Sequence, residues 1–130
     1  MVAPAILIWG WAAKSFEIKK VGLALSIATA FMAGAAFLTG EPAEEVLEEL
    51  PVFSERLVHD HEEAGEFALI LSIVAGLSAC AAIYFSRKKP QWLSYGLIFT
   101  ITLLLLSSIA FLRTAHLGGL IRHEEIRVLP

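Results

Sequence analysis

The sequence predicts an all-α fold: an integral membrane four-helix bundle with a short extra amphipathic helix in one connection. Three observations point there. Of the 130 residues, 57% are hydrophobic and mean hydropathy is +0.70, more apolar than a water-soluble domain of this size accommodates. Three uncharged runs, Val21–Gly40, Phe67–Phe85 and Trp92–Phe111, each hold about 20 residues, the helical length that crosses ~30 Å of hydrocarbon. The polar connections between the runs carry opposite charge. One transmembrane helical domain over residues 1–130 follows, with apolar helices at about 2–13, 21–40, 54–86 and 91–118 and the amphipathic helix at about 42–50.

The first run, Val2–Ala13, is about 12 residues long, short of a full span. No basic segment precedes it, so it is a poor signal peptide. It reads as a re-entrant helix, as a span continued by a partner, or as the remainder of a helix that starts upstream, and the last is preferred. The second run is Val21–Gly40. Gly40 can end it, and Pro42 suits the first turn of a new helix, where Glu44 and Glu45 favour the N-terminus. Val46, Leu47 and Leu50 form a short apolar stripe opposed by acids, so this helix is expected to lie on the membrane surface or on the bundle until Pro51 ends it. Ser54 is a good N-cap for a long helix running to about residue 86, whose first turns stand outside the hydrocarbon. The last helix begins after Pro90. Trp9, Trp11 and Trp92 fit interfacial positions.

Orientation follows from the connections. Lys14, Lys19 and Lys20 accompany one acid, Glu17; Arg87, Lys88 and Lys89 accompany none; the stretch from Glu41 to Glu66 carries ten acids and only Arg56 as a base. Alternating spans put both basic turns on one side, assigned to the cytoplasm. The acidic stretch and the tail RHEEIRVLP then face the periplasmic or outer side of a bacterial inner membrane. A net charge of −3 without a basic tract argues against nucleic acid as a partner. Cys80, the only cysteine, forms no intrachain disulfide and is expected to be a small buried helix residue.

Small residues recur every four positions: Gly22, Ser26, Ala30 and Gly34 in one run, Ala64, Ala68, Ser72, Gly76 and Cys80 in the next. Such ridges let helix backbones approach closely in lipid. At ~100° per residue, His59 and His61 point to nearly opposite sides of a helix. His61 falls on the small-residue stripe and faces the bundle, whereas His59 is expected to be solvated. Topology places His61, His116 and His123 near the same outer rim. Ionisable groups facing a bundle interior are functional candidates. Paired imidazoles from two helices can ligate haem iron, which makes His61, His123 and His116 candidate ligands of a b-type haem. A divalent metal held by His and Glu is less favoured, because the Glu-x-x-His spacing of di-iron bundles is absent. The plain structural alternative is that His61 hydrogen-bonds a nearby carboxylate or carbonyl while Arg113, Arg122 and Arg127 pair with the acidic connection. No nucleophile–base set, phosphate loop or dinucleotide fingerprint is present, so an autonomous enzyme is not expected.

The strings TGEPAEEVLEELP, SERLVHDHEEA and LGGLIRHEEIR resemble a group of small, uncharacterised four-helix bacterial membrane proteins, some suspected of binding haem. The resemblance covers roughly residues 13 to 127. It implies motif histidines at His61 and His123, with His59 and His116 outside the motif. It also implies a histidine-containing segment before the first run, which this sequence lacks. Two functions are expected from these readings. One is an accessory or structural subunit packed in a larger membrane complex, with electron transfer as the candidate activity of the whole. The other is a haem b-binding electron-transfer protein.

Overall fold

The computed structural model describes residues 2–48, 55–88 and 90–122. Every described element is a helix: α1 (Val2–Ala12), α2 (Phe16–Glu48), α3 (Glu55–Lys88) and α4 (Pro90–Arg122). The regions Phe16–Gly40, Arg56–Lys88 and Gln91–Ile121 are long and apolar enough to cross a membrane, whereas Val2–Ala12 is not. The architecture is therefore compatible with a multi-pass membrane protein.

The amphipathic helix expected at about 42–50 is not a separate element. α2 continues without a break through Gly40 and Pro42 to Glu48. A proline removes one backbone donor, but helices tolerate this where other groups take up the freed carbonyl. Glycine costs only about 1 kcal/mol in a helix interior, so neither residue is an obligatory stop. Leu50, Pro51 and Ser54, invoked as stripe, terminator and N-cap, lie outside the described residues.

The α1–α2 turn is built from backbone hydrogen bonds. The Ser15 N–H donates to the Gly10 carbonyl at 3.1 Å and the Lys14 N–H to the Trp11 carbonyl at 3.1 Å. Together they make the paired closure of a Schellman cap. The cap requires a left-handed residue, and here Lys14 takes that place with φ 53°. Ser15 then starts α2: its Oγ accepts from the Ile18 N–H at 3.4 Å. One tripeptide thus ends one helix and begins the next.

α1 packs on α2 and α4, and α3 packs on α2 and α4. Glycines mark the closest approaches. A Cβ added at Gly22 would lie 2.6 Å from Leu7 Cδ2; one at Gly76, 2.7 Å from Ala30 Cβ; one at Gly10, 2.9 Å from the Lys19 nitrogen; one at Gly96, 3.0 Å from Ala82 Cβ. Leu7 is fully buried, so it cannot swing aside. The α2 ridge therefore serves two neighbours, with Gly22 against α1 and Ala30 against α3. Ala3, Leu7, Leu23, Ala75, Ala79, Ala82, Leu97, Ile101 and Leu104 form one core fed by all four helices.

The α3 ridge drifts around its helix. Ala64, Ala68, Ser72 and Gly76 are buried, but Ala75, Ala79 and Ala82 then take over and Cys80 is exposed. This corrects the expectation of a buried thiol. Steps of four residues overshoot a 3.6-residue turn by about 40° each, so after four steps Cys80 has rotated off the contact face.

Two substitutions test this packing. Gly76→Leu is expected to separate α2 from α3 and lower stability by about 1–3 kcal/mol, read as unfolding in mixed micelles titrated with sodium dodecyl sulfate; wild-type stability would contradict the close approach. Lys14→Gly is expected to stabilise by about 1 kcal/mol, because glycine carries no left-handed penalty, and Lys14→Val to do the reverse. Equal effects of the two would rule out a left-handed cap at this position.

Candidate functional site

The α3–α4 interface carries a line of polar contacts. Closest of the three to the α3–α4 turn, Ser78 Oγ and Thr100 Oγ1 are 2.8 Å apart. Further along, Ser72 Oγ and Ser107 Oγ are 2.8 Å apart. At the far end, His61 Nδ1 lies 2.9 Å from the Thr114 carbonyl oxygen. The two helices are antiparallel, so the contacts advance along α4 as they retreat along α3. Donor roles follow from the neighbouring bonds. Ser72 Oγ donates to the Ala68 carbonyl and Thr100 Oγ1 to the Gly96 carbonyl, each at 2.8 Å. A hydroxyl has one hydrogen, so Ser107 donates to Ser72 and Ser78 donates to Thr100. Among the described residues no buried side-chain nitrogen or oxygen lacks a partner.

His61 is half-buried, whereas His59 is exposed, as their opposite positions on α3 predict. A carbonyl only accepts, so His61 Nδ1 carries the hydrogen, and in the neutral ring Nε2 holds the lone pair. The imidazole lies against Gly118: a Cβ there would be 3.1 Å from His61 Cε1 and 3.4 Å from Nδ1. Gly118 sits one turn beyond Thr114 on the same face of α4, so carbonyl and glycine together form the seat of the ring. Gly65, one turn along α3, faces the Thr114 methyl at 3.7 Å from a notional Cβ.

Thr114 and Gly118 were not singled out from the sequence, although a signal was present. Thr100, Ser107 and Thr114 recur every seven residues, which places them on one helical face within about 20° per step. α4 runs through Gly118 to Arg122.

His116 is exposed. It stands two residues from both Thr114 and Gly118, about 200° around the helix from each, on the face turned away from His61. The expected gathering of His61 with His116 is therefore absent from the described residues. His123 and Arg127 lie outside them, as does the side chain of Arg122. Among the described residues no group of three or more His, Cys, Asp or Glu side chains could hold a metal ion, and the one ion pair is Lys20–Glu17 at 2.9 Å. Exposed, with its partner three residues away, that pair adds only about 0.3 kcal/mol.

The site can hold an imidazole in one tautomer and one orientation while leaving its second nitrogen a lone pair. Nδ1–H donation to a backbone carbonyl is also the arrangement that orients histidine ligands in metal proteins. Against that, the ring packs directly on Gly118, so α3 and α4 leave no porphyrin-wide slot between them at this level.

Comparisons with protein-family models, curated proteins and solved structures found no match.

His61→Ala is expected to cost about 1 kcal/mol through the lost interhelical bond, in the same micellar unfolding assay. His59→Ala and His116→Ala should stay within about 0.5 kcal/mol of wild type. Three equal losses would show that the His61–Thr114 contact carries no particular weight.

Proposed function

We propose that this chain is a four-helix, multi-pass protein of the bacterial inner membrane, with its basic turns cytoplasmic, acting as an accessory subunit packed in a larger membrane complex. Electron transfer is the candidate activity of that complex. The observation that carries the proposal is the end of the apolar region of α2, which runs from Phe16 to Gly40. From Ala35 to Gly40 every residue is exposed, and six successive residues cover all faces of a helix. The stretch mixes large apolar side chains, Phe37 and Leu38, with Ala35, Ala36 and Gly40. Lipid alone satisfies the former; the small residues suit close approach of another helix.

α1 does not cover this region. It is 11 residues long, about 16 Å of helix, and it pairs with the first part of α2, Gly10 facing Ile18–Lys19 and Leu7 facing Gly22. A second subunit would complete the corner that α1 leaves half built. The acidic composition of residues 41–66 would steer a basic soluble partner to the outer face.

A second reading, haem b binding, has one observation for it, the His61 Nδ1 bond to Thr114, which leaves Nε2 suited to iron, and one against it, the close seat of the ring on Gly118. His61 would then be one axial ligand and His123 its partner. His116, exposed on the opposite face of α4, fits that role less well.

Extraction of the tagged full chain in mild detergent followed by native electrophoresis separates these readings. A subunit should migrate far above its 14.2 kDa mass together with a multi-spanning membrane protein at fixed stoichiometry, and Ala36→Trp should release it. A lone, colourless chain would defeat both proposals. A lone chain with a b-type absorption spectrum that vanishes in His61→Ala would replace the first with the second.

A further inference from the structure

A groove of about 470 Å³ runs along the outside of the α3–α4 pair. It is lined by the small residues Ser78, Ala81, Ala82 and Gly96 and by the rings of Phe85, Trp92, Tyr95 and Phe99. We infer that this groove holds one acyl chain of an anionic phospholipid, whose phosphate sits at Lys88. The inference goes beyond the subunit proposal and shares with it only membrane insertion.

Two observations carry it. The first is length. On α3 the groove runs from Val74 to Phe85, about 16 Å of helix, or half of a ~30 Å hydrocarbon core. It therefore starts at the α3–α4 turn and ends near mid-membrane, the depth of one leaflet. The second is charge. On α3, Val74, Leu77, Ser78, Ala81 and Phe85 form a helical stripe that Lys88 continues. Lys88 Nζ donates to Tyr84 Oη at 2.8 Å and lies 4.8 Å from the Tyr84 ring centroid, so an aromatic neighbour orients the cation at this end of the groove. The turn's sequence holds Arg87, Lys88 and Lys89 with no acid. Basic groups at such a position favour anionic headgroups. Arg87, also exposed, lies roughly 150° off the stripe and serves as the control.

The test is native mass spectrometry of the full chain released from nanodiscs of equal phosphatidylglycerol and phosphatidylcholine with identical oleoyl chains. One phosphatidylglycerol should be retained in preference to phosphatidylcholine. Lys88→Gln should lower that preference about fivefold, Lys88→Arg should keep it, and Arg87→Gln should lower it less than Lys88→Gln does. Ala81→Trp, at an exposed position, should reduce retention of both lipids by filling the groove. Equal retention of the two lipids by the wild type overturns the inference, as do equal effects of Arg87→Gln and Lys88→Gln, which would mark diffuse surface charge. An Ala81→Cys chain in a Cys80→Ser background that cross-links to itself in the membrane would assign the groove to a second copy instead.

Discussion

Helices in hydrocarbon satisfy their own backbones but gain no hydrophobic free energy by meeting one another, so they associate only through close contact and shared hydrogen bonds. The α3–α4 interface answers both requirements. Gly96 brings the backbones together beside Ala82, and two hydroxyl pairs and one imidazole–carbonyl bond tie the helices along their length. Each interhelical bond of this kind contributes only about 0.6 kcal/mol. Their effect lies as much in register: shifting α4 by one turn would part Ser107 from Ser72 and Thr100 from Ser78 together. α2 and α1 then assemble on this pair through Gly76, Gly22 and Gly10, each in a contact that a methyl group would crowd.

The same constraint explains why so much of the molecule looks outward. Only 22–33% of the most apolar 18-residue window in each long helix is buried, and Phe31, Met32, Leu38, Leu77, Tyr95 and Ile109 are exposed. In water this surface would drive aggregation. In a bilayer it is the ordinary outer surface, and the packing surfaces are the small residues. The interior of α3 is accordingly built of small residues, with five buried alanines beside Ser72 and Gly76.

Much of this was legible in the sequence because it depends on length and period. Twenty-residue apolar runs and four-residue ridges translate into long apolar helices and contact faces, and the opposite placement of His59 and His61 follows from two positions on one helix. The rest depended on choices that spacing leaves open. Gly40 and Pro42 permit a stop without compelling one, and α2 runs through both. A four-residue ridge does not stay on one face for 16 residues, which is why Cys80 left the interface. His116 shares the end of the molecule with His61 but not a helix face, and end alone does not make a pair. The seat of His61 on Thr114 and Gly118 required the angular setting of α4 against α3, which the seven-residue recurrence of Thr100, Ser107 and Thr114 hints at but does not fix.

Under the proposed orientation the α3–α4 seam crosses a bilayer, with Arg87 and Lys88 at the cytoplasmic surface and His61 at the other. From Arg87 to His61 is 26 residues along α3, about 39 Å, enough to clear ~30 Å of hydrocarbon. Single cysteines at these two ends, in a Cys80→Ser background, test the placement with a membrane-impermeant maleimide on intact spheroplasts. A cysteine in place of His59 is expected to label at once, and one in place of Arg87 only after the membrane is opened. Labelling of both from outside, or of the Arg87 position alone, would contradict the orientation from which the outer site, the cytoplasmic turns and the docking face all follow.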